Sequence, residues 1–148
     1  MPRVVVLDGR DLPGADPARV WALVADPARA GEWTGLHAAG SMARELPTVG
    51  DAFYLTRRPE SDPRRATRYQ LVQWVAGRSY RCSMSSTRTA SGRELEVRVH
   101  TDPLAVSTRV EIVLRADVNR WAAAPYRAVA LTRIRGVLRR LATRIGET

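Results

Sequence analysis

Residues 119–148 read NRWAAAPYRAVALTRIRGVLRRLATRIGET, and the spacing of their apolar side chains decides what the rest of the chain must be. Leu131, Ile134, Leu138, Leu141 and Ile145 recur in steps of three and four. At about 100° per residue, that spacing lines up one buried helical stripe. Arg133, Arg140 and Arg144 fall opposite it, as a charged back. A helix with one greasy stripe must lie on something broad and apolar. The chain before it reads mostly as short strands, so that surface is expected to be a curved sheet.

A chain of 148 residues fits one domain, 1–148, and can bury a real core. Its hydrophobic content of 45% argues against whole-chain disorder. All 24 basic residues are Arg. With abundant Ala, this reads as codon bias in a GC-rich bacterial genome. The net charge of +9 is uneven: residues 1–118 carry 17 Arg and 14 acids, residues 119–148 carry 7 Arg and 1 acid. A basic helix back can attract anionic partners. One charged face is also what any surface helix carries. Cys82 is the only cysteine, so no intramolecular disulfide forms and a cytoplasmic home is expected. The apolar run Val4 to Leu7 is too short for a signal peptide. No stretch approaches the roughly 18 apolar residues of a membrane span.

In order, Val4 to Leu7 is read as strand one, broken by Asp8-Gly9 and Pro13-Gly14. Asp16-Pro17 opens a short helix with Val20, Trp21, Leu23 and Val24 on its apolar side. Asp26-Pro27 stops it and starts a second, ending at Gly31. His37 to Leu46 is a weak strand, and Ala52 to Arg58 a clearer one with Phe53 and Leu55 on one face. Pro59 to Arg65 is a polar loop. Thr67 to Val75 and Ser79 to Thr87 form a hairpin across Gly77-Arg78. Ala90-Ser91-Gly92 is read as the next turn. Glu94 to His100 and Val106 to Ala116 then alternate, as half-buried antiparallel strands do.

This order resembles the START-like, birch-pollen-allergen-like superfamily (SRPBCC), and within it the bacterial polyketide cyclase/dehydrase-like branch. The residues that carry the resemblance are Asp16 through Pro27, then Trp33, Val49-Gly50-Asp51-Ala52-Phe53, Gln73 through Arg78, and Leu138-Arg139-Arg140-Leu141. The resemblance implies an α+β helix-grip fold. A seven-stranded antiparallel sheet would curve around the long C-terminal helix, with two short helices between strands one and two. It also implies a cavity between sheet and helix. Members bind lipids, sterols, aromatic polyketides or plant hormones, and some cyclise or dehydrate their substrates. The family has no universal catalytic motif to carry over.

Other enzyme signatures are missing: no nucleophile elbow, no phosphate-binding glycine loop, no dinucleotide fingerprint. His37 and His100 stand far apart, so neither a metal nor a cofactor is expected. The candidates are therefore inner-face residues. Tyr80, Cys82 and Met84 share one strand parity, Tyr69 and Leu71 another, and Val97 falls with Leu95 and Val99. A Tyr80 hydroxyl in an apolar pocket can polarise a ligand carbonyl or act as a weak acid. The plainer reading is a hydroxyl that reaches water or a backbone carbonyl. Cys82 reads first as a small core residue. Arg127 shares an azimuth with Leu131, Leu138 and Ile145. An arginine on that stripe must pair, reach the rim or meet an anionic ligand group. Pro125 either kinks the helix or marks its first turn.

The small residues Ala122 to Ala124, Ala128 and Ala130 place the expected cavity under residues 121–131. Trp121, Arg127, Ala128 and Leu131 would then line it, with His37 near its mouth. The facing of Tyr54, Trp74 and Tyr126 stays open. The reading that joins these features is a protein that encloses a small apolar, aromatic or polyketide-like molecule. Its catalytic extension uses Arg127 and Tyr80 to steady developing negative charge. The alternative is an interaction module whose Arg-rich helix touches RNA, the ribosome or an acidic membrane. Aromatic residues do not alternate with those Arg, which weighs against it. A third reading is a structural or homodimer-forming protein without a ligand.

Overall fold

The computed structural model describes residues 3–38, 48–57, 66–86, 89–102, 104 and 107–146. Its strands are β1 (Arg3–Pro13), β2 (His37–Ala38), β3 (Ala52–Thr56), β4 (Thr67–Val75), β5 (Ser79–Ser86), β6 (Thr89–Asp102) and β7 (Ser107–Asp117). They form one antiparallel sheet in the order β1-β7-β6-β5-β4-β3-β2. Among the described residues β2 covers only two, and six longer strands make up the rest of the sheet. Helix α1 (Pro17–Val24) and a 3-10 helix (Pro27–Glu32) follow β1. The second short helix is thus 3-10 rather than α. A 3-10 turn at Arg120–Ala122 leads into the long helix α2, Ala123–Gly146.

Alternation sets which face of the sheet is buried. Val4 and Val6 point inward, while Val5 and Leu7 stay exposed. β1 does not break at Asp8-Gly9. It pairs with β7 from Arg3↔Asp117 to Pro13↔Ser107. Gly9 marks a close approach instead: a Cβ there would meet the Arg109 guanidinium at 2.7 Å. α1 and the 3-10 helix begin as their Asp-Pro pairs predict. The Asp16 and Asp26 carboxylates accept the Ala18 and Ala28 N–H groups at 3.2 and 3.0 Å. Ala90-Ser91-Gly92 is not a turn but lies inside β6. Gly92 takes φ +89°, and a side chain there would run into Asp117. The expected strand beyond residue 38 and the expected loop 59–65 lie outside the described residues.

One register shift redirects the sheet's aromatic residues. Pairing between β4 and β5 slips between Leu71 and Gln73. Tyr69 and Leu71 are buried, and Val72 is exposed. The extra residue inverts parity beyond it, so Trp74 rather than Gln73 turns inward and packs on Tyr80 at 6.0 Å. On the outer face, Glu96 pairs with Arg98 and Arg115, and Glu111 with Arg109 and His100. His100 therefore faces outward.

The buried stripe of α2 is Ala130, Ile134, Leu138 and Leu141. Ile134, Leu138 and Leu141 of the expected stripe are buried, while Ala130 faces in at its first turns and Leu131 and Ile145 are only half-buried. Pro125 sits in the first turn, where a missing N–H costs nothing. The helix packs mainly along the edge strand β1. There Arg127 Nη1 donates to the Val5 carbonyl at 3.3 Å, and Arg135 pairs with Asp8 at 3.1 Å. Arg127 is exposed. It shields backbone that an edge strand would otherwise leave open.

Candidate functional site

Because α2 leans on β1, the inner face of β3 to β6 is not pressed against it. A cavity of about 1080 Å³ remains between that face, α2 and the 3-10 helix. Cross-strand rows build its floor. One row runs Phe53↔Tyr69↔Met84↔Arg93 across β3 to β6. The other runs Trp74↔Tyr80↔Val97↔Ile112 across β4 to β7. All eight residues line the cavity. Phe53 and Tyr69 stack with ring centroids 5.2 Å apart, and Trp21 closes edge-on over Trp74 at 5.0 Å. From α2 the roof is Tyr126, Ala130, Arg133, Val137 and Arg140, spaced four and three apart on one face.

The expected sheet residues Tyr69, Leu71, Tyr80, Met84 and Val97 come together in this wall. Cys82 does not line it. Its side chain is fully buried, and burial pushes the thiol up to about 12. The expected helix residues are elsewhere. Trp121 is 84% exposed, Ala128 is exposed, and neither Arg127 nor Leu131 reaches the cavity. The reason is geometric: the Ala-rich first turns run beside the β1 edge, not over the middle of the sheet. The open space lies instead under residues 126–140. His37 is outside the lining too, its ring packed beside Gly31.

Tyr80 keeps its ring at the wall, but its hydroxyl donates to the Val24 carbonyl at 2.6 Å, near the end of α1. Burial holds that hydroxyl well above the ordinary tyrosine value. Its proton serves the fold. Burial also raises Tyr69, to about 12, while Arg93 pulls the other way. Tyr126 is raised by burial, and both Arg93 and Arg133 pull it down. The two guanidiniums therefore act on one phenol across the cavity.

Three polar groups of the site escape a reading by sequence. Trp33 Nε1 and Arg93 Nε are buried without a hydrogen-bond partner, and both residues line the cavity. Arg133 lines it from the roof, though it falls on the helix side expected to meet solvent. Arg93 had a signal: it continues the inward parity of Leu95, Val97 and Val99 by one step. Arg140 and Arg144 are committed to the scaffold. Arg140 Nη1 donates to the Thr34 carbonyl at 2.9 Å, and Arg144 pairs with Glu32 at 2.8 Å. Among the described residues no three His, Cys, Asp or Glu side chains gather as metal ligands. No described helix is long and apolar enough to cross a membrane.

The sequence profile of the family described as polyketide cyclase / dehydrase and lipid transport matches residues 6–146. Among curated protein sequences none matches. Solved structures share the fold at low identity. A Thermobifida fusca protein superposes with a TM-score of 0.77 at 17% identity, over 97% of this chain and 93% of its own. A Chromobacterium violaceum protein gives 0.69 at 18%, over 95% of this chain and 96% of its own. DynU16, a protein of the dynemicin biosynthetic locus, gives 0.70 at 17%, over 98% of this chain. This chain spans 48% of that one.

Proposed function

Because the chain belongs to the SRPBCC-type polyketide cyclase/dehydrase and lipid transport family, we propose that it encloses a small, largely apolar molecule between its sheet and α2. The observation that carries this reading is the cavity of about 1080 Å³. It lies just above the roughly 300–1,000 Å³ common for small-molecule sites. Its two aromatic groups, Phe53 with Tyr69 and Trp74 with Tyr80, offer flat apolar walls that suit a ringed or polyketide-like guest. Trp33 Nε1 offers a donor to one ligand oxygen. The catalytic form of the reading, cyclisation or dehydration of an enclosed chain, draws on Arg93 and Arg133 at the reacting oxygen, in place of Arg127 and Tyr80. Four of the seven basic residues on the C-terminal stretch (Arg127, Arg135, Arg140 and Arg144) already bond within the chain. That weakens the reading of α2 as a nucleic-acid or membrane contact. The test is a fluorescence titration with a neutral apolar dye at low and high salt. The cavity reading expects saturable, salt-insensitive one-to-one binding. No saturable binding, beside salt-sensitive retention on RNA or acidic vesicles, would overturn it.

A further inference from the structure

Arg93 and Arg133 are two of the cavity's cations. Arg93 stands at the β6 end of the row Phe53–Tyr69–Met84–Arg93, and Arg133 faces the same space from α2. Among the described residues neither takes part in an ion pair. The carboxylate next along β6, Glu94, is bound outward to Arg3 at 3.0 Å. Arg93 is half-buried, with its Nε sealed from solvent and no acceptor in reach. Leaving that Nε–H sealed beside apolar and aromatic walls without an acceptor costs stability, and an anion in the cavity would offset the cost. Both cations act on Tyr126, and Arg93 also acts on Tyr69. Arg93, Arg133, Tyr69 and Tyr126 all line this one chamber.

We infer that Arg93 and Arg133 form a seat for an anionic oxygen group, so that the ligand is an apolar body ending in a carboxylate or a similarly charged oxygen. The inference rests on the cavity reading and narrows its ligand class. A planar guanidinium fork suits a carboxylate, and Tyr126 from the roof adds an O–H donor. The aromatic walls around Trp74 and Tyr80 take the apolar body.

Matched acid and amide probes test this: 2-naphthoate against 2-naphthamide, and dodecanoate against dodecanamide, by calorimetry on the whole chain. A charge-assisted seat predicts that the acid binds about tenfold or more tighter than its amide. Either pair showing that preference supports the seat and tells a ring from an alkyl chain. R133Q, on an exposed helix position, should remove most of the preference. R93Q should do the same, and R93K should restore part of it. Equal binding of acid and amide by the unmodified protein overturns the anion seat and leaves the cavity reading intact. An acid preference that survives in both R93Q and R133Q also overturns it. Failure of all four probes to bind overturns the cavity reading together with it.

Discussion

Replacing Tyr80 by Phe removes one hydroxyl and leaves the Val24 carbonyl without the donor it now has. An unsatisfied buried acceptor costs about 1–3 kcal/mol, so Y80F should unfold at lower urea while apolar dye affinity holds. Loss of dye binding with stability intact would put that hydroxyl on the ligand instead. Glu32 makes a second prediction. Arg29 at 2.7 Å and Arg144 at 2.8 Å hold its carboxyl at about 2, against an ordinary value of 4.5. A depressed folded value means the contribution is full above the ordinary value and is lost as pH falls from 4.5 towards 2. The stability gap between the native protein and E32Q, measured by denaturation across that window, should close on acidification. A gap that stays constant would assign Glu32 a packing role. These residues also show what the sequence withholds. Glu32 meets Arg144 across more than a hundred residues, and no local pattern encodes that pairing.

At the scale of the element, α2 carries a glycine in its interior, Gly136, which lines the cavity and whose added Cβ would meet nothing. Glycine mid-helix costs about 1 kcal/mol against alanine, so G136A should stabilise the protein by about that much. G136F should keep the helix and push a ring into the chamber, weakening dye binding. Unchanged binding would mean the chamber lies elsewhere. L138A should cost about 2–5 kcal/mol in denaturant unfolding, and L131A clearly less, because only Leu138 is fully inside. The helix itself was legible, since apolar steps of three and four survive any context. Its azimuth was legible from Ile134 to Leu141; at the earlier turns Ala130 rather than Leu131 faces in, a choice that falls to the edge of β1, which a sequence does not display. The strands were legible where they alternate, as in β6 and β7. In β4 the extra residue Val72 defeats alternation, and Trp74 became a wall residue without any local sign.

Across the whole molecule, the stability of the fold and the occupancy of the chamber are linked. Dye at about 100 times its Kd should add about 2.7 kcal/mol to unfolding, read as a rise in Tm. Cys82, buried and with its thiol at about 12, should resist aromatic disulfide reagents in the folded state and react on unfolding. Fast labelling under native conditions would show that the wall opens without global unfolding. The fold class could be read in advance because every strand-rich segment pointed to one helix. The site could only be half read. Its sheet wall follows strand parity, while its charged roof depends on how α2 leans.

The pairing of β1 with β7 has a consequence for how the chain reaches this state. β3 to β7 can assemble as successive neighbours, each strand finding the one just before it. β1 must instead return to Ser107–Asp117 after nearly the whole chain has passed. Closing a loop of about 100 residues costs on the order of 4 kcal/mol of chain entropy before any contact repays it. Since α2 docks chiefly on β1, both ends of the domain would arrive in one late, cooperative step. The chamber would have no roof until that step. Ligand capture during refolding should then track the slowest folding phase rather than the formation of the meander.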